Sequence, residues 1–364
     1  MNDVILFGAG KYGAKLLELI GEDKVACYCD NNSELNRFCG KAVISYNELK
    51  KIYCKHTVII SIAKESYIMA VCHQLENDAI PFIFYLDYYN DQKNKQYLDE
   101  LKKNAKAKRF YSKYQKEIEY MLQCGKYSMI PYPFRENYYL MDIDIDFDHT
   151  LSMHYYLMND KKLYLPQGWR EIDCKNYIRD MLIEQDEQSP HCYFDKIHKV
   201  NKTDVFLDIG SAEGMTALSV VDAAKKIYLF ECDSQWNDAL AATFAPYRNK
   251  VVFVNKMVGA SIGEEMTTID KMFSDNNEDL FIKIDIEGGE ADFLLGAQNV
   301  LKNNNVKLSI CTYHKKNDVE DFRTFFNNLG YKTELTNGYI FAWWDRAAFV
   351  KGILKASKYY YDEQ

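Results

Sequence analysis

The 364-residue sequence has no apolar stretch that approaches the roughly 20 residues of a membrane span. No basic segment followed by an apolar run and a small-residue cleavage site opens it, so no secretory leader is expected. Its ten cysteines include no C-x-x-C pair and no zinc-like spacing, and ten unpaired thiols point to a reducing cytoplasm. Several of them, such as Cys27, Cys29 and Cys311, fall inside apolar strand patterns, where cysteine acts as a small hydrophobe. An excess of positive charge is missing too. The net charge is −8 and the pI about 5.5, which argues against a phosphate-neutralising surface and a nucleic-acid partner. What remains is 48% hydrophobic and 27% charged, with length for two domains that each bury a core. Tyrosine is abundant, at 29 residues. Clusters such as "YLDYYN", "NYYL" and "HYYL" suit either core edges or a sugar-stacking surface.

The opening "VILFGAGKYGAKLLELI" is an apolar strand, a turn with Gly8, Gly10 and Gly13 in G-x-G-x-x-G spacing, and an apolar helix. Asp30, 20 residues after Gly10, ends the next strand, where a carboxylate can hold a ribose. These four residues form a candidate nucleotide site. Across residues 1–87, "VILFG", "VACYC", "TVIIS" and "FIFYL" read as strands and alternate with helical patterns. That alternation predicts a small, doubly wound parallel sheet of Rossmann-like type.

Residues 88–180 read as a helical linker followed by β-hairpins. In 88–126 acidic residues interleave the lysines, as on a solvated helix face. "DIDIDFD" lacks the central glycine and closing glutamate of a calcium loop. Alternation puts Asp142, Asp144, Asp146 and Asp148 on one strand face, opposite Ile143, Ile145 and Phe147, and an "ND" turn suggests a hairpin. From 181 to 345 strands and helices alternate again, with "YKTEL" and "GYIFAWW" as the last two strands. The tail, 346–364, reads as a closing helix.

The second domain contains its own glycine turn, "VFLDIGSAEGMTALSVV". Asp208 ends the strand, Gly210 and Gly214 admit a close backbone approach, and Glu231 ends the next strand, 23 residues after Asp208. A diphosphate would sit poorly beside Asp208 and Glu213. S-adenosylmethionine carries a sulfonium and an ammonium and no phosphate, so acids in the turn favour it over NAD. The candidate cofactor residues are Asp208, Gly210, Ser211, Ala212, Glu213, Gly214, Glu231, Cys232, Asp233 and Asn255. Further on, "FIKIDIEGGE" places Asp285 and Glu287 at a strand end, and "SICTYHKKND" places His314 at the next. In an open α/β sheet the ligand crevice lies outside such ends. Asp285, Glu287 and His314 are therefore candidate catalytic residues. They can supply a base for a hydroxyl acceptor, or together hold a divalent cation. Glu290 reads as a helix-start charge and Lys283 as a partner for nearby acids.

Residues from about 180 to 343 resemble the FkbM family of S-adenosylmethionine-dependent methyltransferases. The resemblance rests on "FLDIGSAEG", "YLFECD", "FIKIDIEGGEADFLLGA" and the strand ending at His314. It implies a class I sheet of order 3-2-1-4-5-7-6 and O-methylation, typically of sugar hydroxyls. By it, Asp208, Gly210 and Gly214 lie around the methionine moiety and Glu231 holds the ribose. Ala212 stands where the family often has a third glycine, and "TYH" where many members have Glu-x-His. "EQDEQSPH" resembles a stretch just upstream in some members. Glu184, Gln185, Asp186, Ser189 and His191 are thus candidate acceptor contacts, although a helix end stopped by Pro190 would explain them as well. The first 87 residues resemble small Rossmann-like modules attached to sugar-modifying enzymes, related to nucleotide-sugar and acyl-CoA-binding domains. The expected protein is an α/β chain of two doubly wound domains, with a sugar-containing acceptor (nucleotide-sugar, lipid-linked or protein-linked glycan). Two alternatives stand beside it. One is a nicotinamide-dependent oxidoreductase using the first turn, although no hydride-acceptor site follows residue 90. The other is a non-catalytic nucleotide-sugar-binding module.

Overall fold

The computed structural model describes residues 4–62, 65–104, 112–125, 128–274, 278–343 and 347–358. The chain forms two compact units, residues 1–106 with 125–127, and residues 107–124 with 128–364. Among the described residues no helix is long and apolar enough to cross a membrane.

In the first unit, β1 (Val4–Phe7), β2 (Val25–Cys29), β3 (Arg37–Phe38), β4 (Lys41–Ile44), β5 (Thr57–Ile60) and β6 (Phe82–Phe84) form one sheet in the order β3-β4-β2-β1-β5-β6. All neighbours are parallel except the β3–β4 pair. β1 is buried throughout, as a central strand covered on both faces must be. Phe7, Val58 and Leu75 fill one layer, and Leu6, Leu16 and Tyr28 the other. The run "FIFYL" is a strand only to Phe84. A helix, Tyr85–Asn104, begins there and packs Tyr85, Tyr88 and Tyr89 against the Leu6 layer. The first unit therefore extends past residue 87, because these tyrosines complete its core.

The second unit begins with the helix Gln115–Cys124. A three-stranded antiparallel sheet follows, of β7 (Ile145–Asp148), β8 (Met153–Met158) and β9 (Lys161–Tyr164). Asn159 and Asp160 take φ of 49° and 64°, the left-handed pair that a two-residue hairpin needs. Asp142, Asp144 and Asp146 are exposed opposite the buried Ile143. Leu163, Leu165, Cys174 and Ile178 share a core with Phe206 and Phe281. Residues 128–180 are therefore one layer of the second unit and not a linker; residues 105–111 of the expected linking helices lie outside the described residues.

The main sheet contains β10 (Val205–Ile209), β11 (Lys226–Phe230) and β12 (Val251–Val254). Two short pieces, β13 (Met257–Val258) and β14 (Met266–Thr267), pair with each other. β15 (Leu280–Ile284), β16 (Val306–Cys311) and β17 (Lys332–Leu335) follow, then β18 (Ile340–Trp343), β19 (Ala347–Val350) and β20 (Ile353–Ser357). The sheet order is β12-β11-β10-β15-β16-β20-β17, with β20 antiparallel to both neighbours. Counted along the chain, its seven strands lie 3-2-1-4-5-7-6. Two expectations need correction. "GYIFAWW" contributes β18, which pairs with β19 in a separate hairpin and not with the main sheet. The tail is not a helix. Its residues 353–357 insert as the last strand, with Ile353 and Leu354 wholly buried, because the gap between β16 and β17 needs a partner on both edges. Residues 344–346 and 359–364 lie outside the described residues.

Candidate active site

The parallel strands of the main sheet bring their carboxyl ends to one edge. β10 runs out through Gly210, at φ 78°. A Cβ there would lie 1.9 Å from the Asp285 carbonyl oxygen, so only glycine lets the turn after β10 close onto the end of β15. Gly214 has φ 84°, and a Cβ would press on Phe244 at 2.7 Å. Ala212 sits at φ 43°, a left-handed position that costs an alanine about 1–2 kcal/mol. Its N–H donates to Glu231 Oε2 at 2.9 Å, and the Asp233 N–H donates to Oε1 at 2.8 Å. Glu231 is thus fixed beyond β11 with acceptor capacity left on each oxygen. Cys232, Asp233 and Asn255 are exposed along the same edge, and Asp233 caps the turn after it by accepting from Gln235 N–H at 3.0 Å.

The acids of the turn are held from below. Asp208 is wholly buried, with the Lys283 ammonium 3.1 Å from its Oδ1. Lys283 also donates to the Gly210 carbonyl. Burial pushes the Asp208 carboxyl up, against the pull of Lys283. Glu213 is buried and accepts from the Tyr177 hydroxyl at 2.5 Å and from Met215 N–H at 3.2 Å. Neither oxygen of Asp208 makes a hydrogen bond, nor does the hydroxyl of Ser211.

A second group converges at the ends of β15 and β16. His314 Nδ1 lies 2.8 Å from Glu290 Oε1, while its Nε2 lies 3.6 Å from Asp285 Oδ1 and 3.6 Å from Glu287 Oε2. Glu287 takes φ 52° and Gly288 φ 97°, a left-handed pair that turns the chain beside His314. Asp285 Oδ1 and His314 Nε2 are buried and make no hydrogen bond. The other Asp285 oxygen accepts from the Tyr193 hydroxyl at 2.6 Å. Burial raises the Asp285 carboxyl, but Lys283, His191 and Tyr193 outweigh it and leave it below its ordinary value. For His314, burial works downward and is outweighed by the Glu290 hydrogen bond and the charges of Asp285 and Glu287, so the imidazole titrates above its ordinary value.

Residues 181–333 match the family model described as the methyltransferase FkbM domain. The match covers less than half of the chain and makes this region similar to an FkbM methyltransferase domain. Its activity class is S-adenosylmethionine-dependent methyl transfer. The matched region ends within β17, so the methyltransferase sheet takes its last strand, β20, from beyond it. No curated protein matches the chain by sequence. Among solved structures, the methyltransferase FkbM from Methylobacillus flagellatus KT aligns with 14% identity over 98% of this chain and 90% of that one, at a TM-score of 0.39. The precorrin-6y C5,15-methyltransferase from Geobacter metallireducens GS-15 aligns with 14% identity over 44% and 84%, at 0.30. An rRNA methylase from Streptococcus thermophilus aligns with 12% identity over 44% and 89%, at 0.31. At these values the neighbours fix neither a substrate nor a residue's role.

Within the methyltransferase domain the three candidate catalytic residues stand together. Glu290, read from sequence as a helix-start charge, does open the helix Glu290–Leu295, and it is also 1% exposed and holds the His314 ring. Its signal was the third acid of "DIEGGE", three residues after Glu287. Tyr193 and Tyr313 carried no sequence signal at all. The stretch from Glu184 to His191 divides. His191 is buried, with Nε2 2.9 Å from the Tyr313 hydroxyl and 3.8 Å from Asp285 Oδ2. Glu184 lies 3.8 Å from His191 Nδ1, and Gln185 Nε2 lies 3.5 Å from the same nitrogen. Burial and the charges of Asp285 and Glu213 push the Glu184 carboxyl up to about 8. Asp186 and Ser189 bind within the loop and its supports, accepting from Tyr138 hydroxyl at 2.6 Å and His191 N–H at 3.1 Å.

The first unit is built differently at its own turn. Gly13 is needed for packing, since a Cβ would meet the Gly8 carbonyl at 2.5 Å, whereas a Cβ on Gly10 would meet nothing within 4 Å. Asp30 Oδ2 accepts from Ala9 N–H at 2.8 Å and Oδ1 from Asn32 N–H at 2.9 Å.

Proposed function

We propose that this enzyme transfers the methyl group of S-adenosylmethionine to a sugar hydroxyl, on a nucleotide-sugar or on a lipid-linked or protein-linked glycan, in the cytoplasm. The observation that carries the reading is the bare, buried pair of Asp285 Oδ1 and His314 Nε2, 3.6 Å apart beside Glu287 at the ends of adjacent strands. Hydroxyl methylation needs such a place. As the carbon–sulfur bond breaks, sulfur keeps the electron pair and becomes a thioether, the oxygen–carbon bond forms, and the hydroxyl proton is taken up by the Asp285–Glu287–His314 group. A positioned base of this kind typically contributes about 10²–10⁴ in rate. The cofactor fits the residues present. Glu231 retains acceptor capacity for ribose hydroxyls, and Asp208, Glu213 and Asp285 form an acidic surrounding that favours a sulfonium and an ammonium over a diphosphate.

Calorimetry with S-adenosylhomocysteine, together with label transfer from methyl-labelled S-adenosylmethionine to a panel of nucleotide-sugars and oligosaccharides, tests the proposal. Saturable binding and label in a sugar ether are expected. Failure to bind S-adenosylhomocysteine would remove the cofactor assignment, and label only in non-sugar acceptors would remove the substrate class.

A further inference from the structure

The group at Asp285, Glu287 and His314 has the form of a coordination shell. The three candidate ligand atoms, one imidazole nitrogen and two carboxylate oxygens, all lie within 4.8 Å of one another. The two nitrogen–oxygen separations are 3.6 Å. Bonds of about 2.1 Å at tetrahedral angles would set such ligands about 3.4 Å apart, so small side-chain movements suffice to bind one ion. The histidine is oriented for it. Its Nδ1 is held by Glu290, a carboxylate that is 1% exposed and accepts from Ile286 N–H at 3.1 Å as well. A carboxylate on one ring nitrogen fixes the tautomer with the lone pair on the other, the arrangement that orients metal-bound histidines. That other nitrogen is bare, and the His314 side chain is 8% exposed. Asp285 shows the same division: one oxygen is held by Tyr193, and the other is bare and faces His314. Leaving a buried acceptor or donor without a partner is unfavourable, and two such atoms face each other here. The third ligand, Glu287, is 91% exposed, so one side of the shell stays open to a hydroxyl.

We propose that Asp285, Glu287 and His314 bind a divalent cation, with Glu290 as the residue that positions His314. One nitrogen and two carboxylate oxygens suit a first-row ion of the manganese or zinc kind. The site stands on these residues alone. Its use rests on the hydroxyl methylation proposed above, in which a bound cation would make the acceptor hydroxyl more acidic.

The test is a titration of the full-length protein with Mn²⁺, without cofactor, read by the loss of the free-ion electron paramagnetic resonance signal. One saturable site is expected. Glu287→Gln and His314→Gln should each weaken it at least tenfold, and Glu290→Gln by roughly tenfold, the lower end for an outer-shell partner. Glu287 is exposed, so its variant cannot fail through lost packing. Asp160→Asn, in the β8–β9 turn, should leave the affinity unchanged. S-adenosylhomocysteine affinity is measured on the same preparations. Cofactor binding without saturable Mn²⁺ binding would overturn the cation site and leave the methyltransferase reading intact. Mn²⁺ binding that survives both Glu287→Gln and His314→Gln would overturn it as well. Mn²⁺ binding in a protein that ignores S-adenosylhomocysteine would support the cation site and remove the function proposed for it.

Discussion

Two turns in this chain are spelled alike and built unlike. The turn after β1 carries three glycines at dinucleotide spacing, and the turn after β10 carries two glycines with Ala212 between them. By spelling, the first is the better nucleotide turn. In the structure the two acids are held alike, Asp30 accepting from Ala9 and Asn32 N–H as Glu231 does from Ala212 and Asp233, and Ser61 Oγ beside the first turn donates to the Gly8 carbonyl at 2.9 Å. Among the described residues, the buried side-chain atoms without a hydrogen bond belong to Asp208, Ser211, Asp285 and His314, all at the second turn or beside it. Glycines tell where a backbone can approach a ligand. Unbonded buried polar atoms tell where a ligand can be bound, since native interiors rarely leave such atoms bare.

The contrast breaks most visibly at the glycines themselves. Gly210→Ala drives a Cβ into the Asp285 carbonyl at a left-handed φ, so either the turn or the end of β15 must move. Its cost should exceed about 3 kcal/mol, the upper end for one strained backbone position, and S-adenosylhomocysteine binding should vanish. Gly10→Ala meets open space and should stay within about 0.5 kcal/mol, with that binding intact. Denaturant melts and calorimetry on the two variants check this. Equal effects from both would erase the distinction between the turns.

Next in size is the chemistry. His314→Ala should lower turnover by about 10²–10⁴ while sparing S-adenosylhomocysteine affinity. Full turnover in that variant would exclude His314 and leave Asp285 and Glu287 to take the proton. Smaller again is the ribose contact. Glu231→Ala should weaken S-adenosylhomocysteine by about 1–3 kcal/mol, and Asp30→Ala, its counterpart in the first turn, should not weaken it at all. A loss from Asp30→Ala of similar size would mean that the two turns had been assigned the wrong way round.

Sequence made the parallel sheets and both turns legible, because the signals are local: apolar runs of strand length, glycines at fixed offsets, and acids at strand ends. Its failures share a cause. β20 is written "ILKAS", next to "RAAFVKG", which favours a helix by propensity. What makes it a strand is a vacancy between β16 and β17 that only the folded sheet presents. Glu290 was legible as a charge and illegible as the partner of His314, 24 residues away. Tyr193 reaches Asp285 across 92 residues, and no pattern in the sequence encodes that contact.

A pH titration sharpens the comparison in a region where acids crowd, around Glu184. Glu184 faces His191 Nδ1 at 3.8 Å, and its charge is opposed by burial first and then by Asp285, Glu213 and Asp180, against a smaller pull from Lys283. Its folded value of about 8 lies above the ordinary 4.5. Between those values the folded chain therefore holds a proton that the unfolded chain has lost. Stability must fall as pH rises across that window, since the unfolded state then binds fewer protons than the native one. Glu184→Gln keeps the neutral shape and removes the titration, so its melts should fall less steeply from about pH 4.5 to about 8 than those of the natural chain. The effect should be absent below that window, where both forms are neutral. Parallel curves for the two proteins across the window would mean that Glu184 is ionised in the fold, and the acid crowding at the second turn would then have to be relieved elsewhere.

The smallest effect belongs to the one residue at which the second turn departs from a glycine. Ala212 holds φ 43° at a cost of about 1–2 kcal/mol, while glycine in its place would bring an entropic penalty of about 0.5–1 kcal/mol from the unfolded chain. The two nearly cancel, so Ala212→Gly should stabilise the protein by less than about 1.5 kcal/mol. The N–H of residue 212 donates to Glu231 in either case, so S-adenosylhomocysteine affinity should hold. A clear loss of affinity with unchanged stability would show that the alanine methyl itself meets the cofactor. The departure from three glycines would then be a feature of binding and not a tolerated strain.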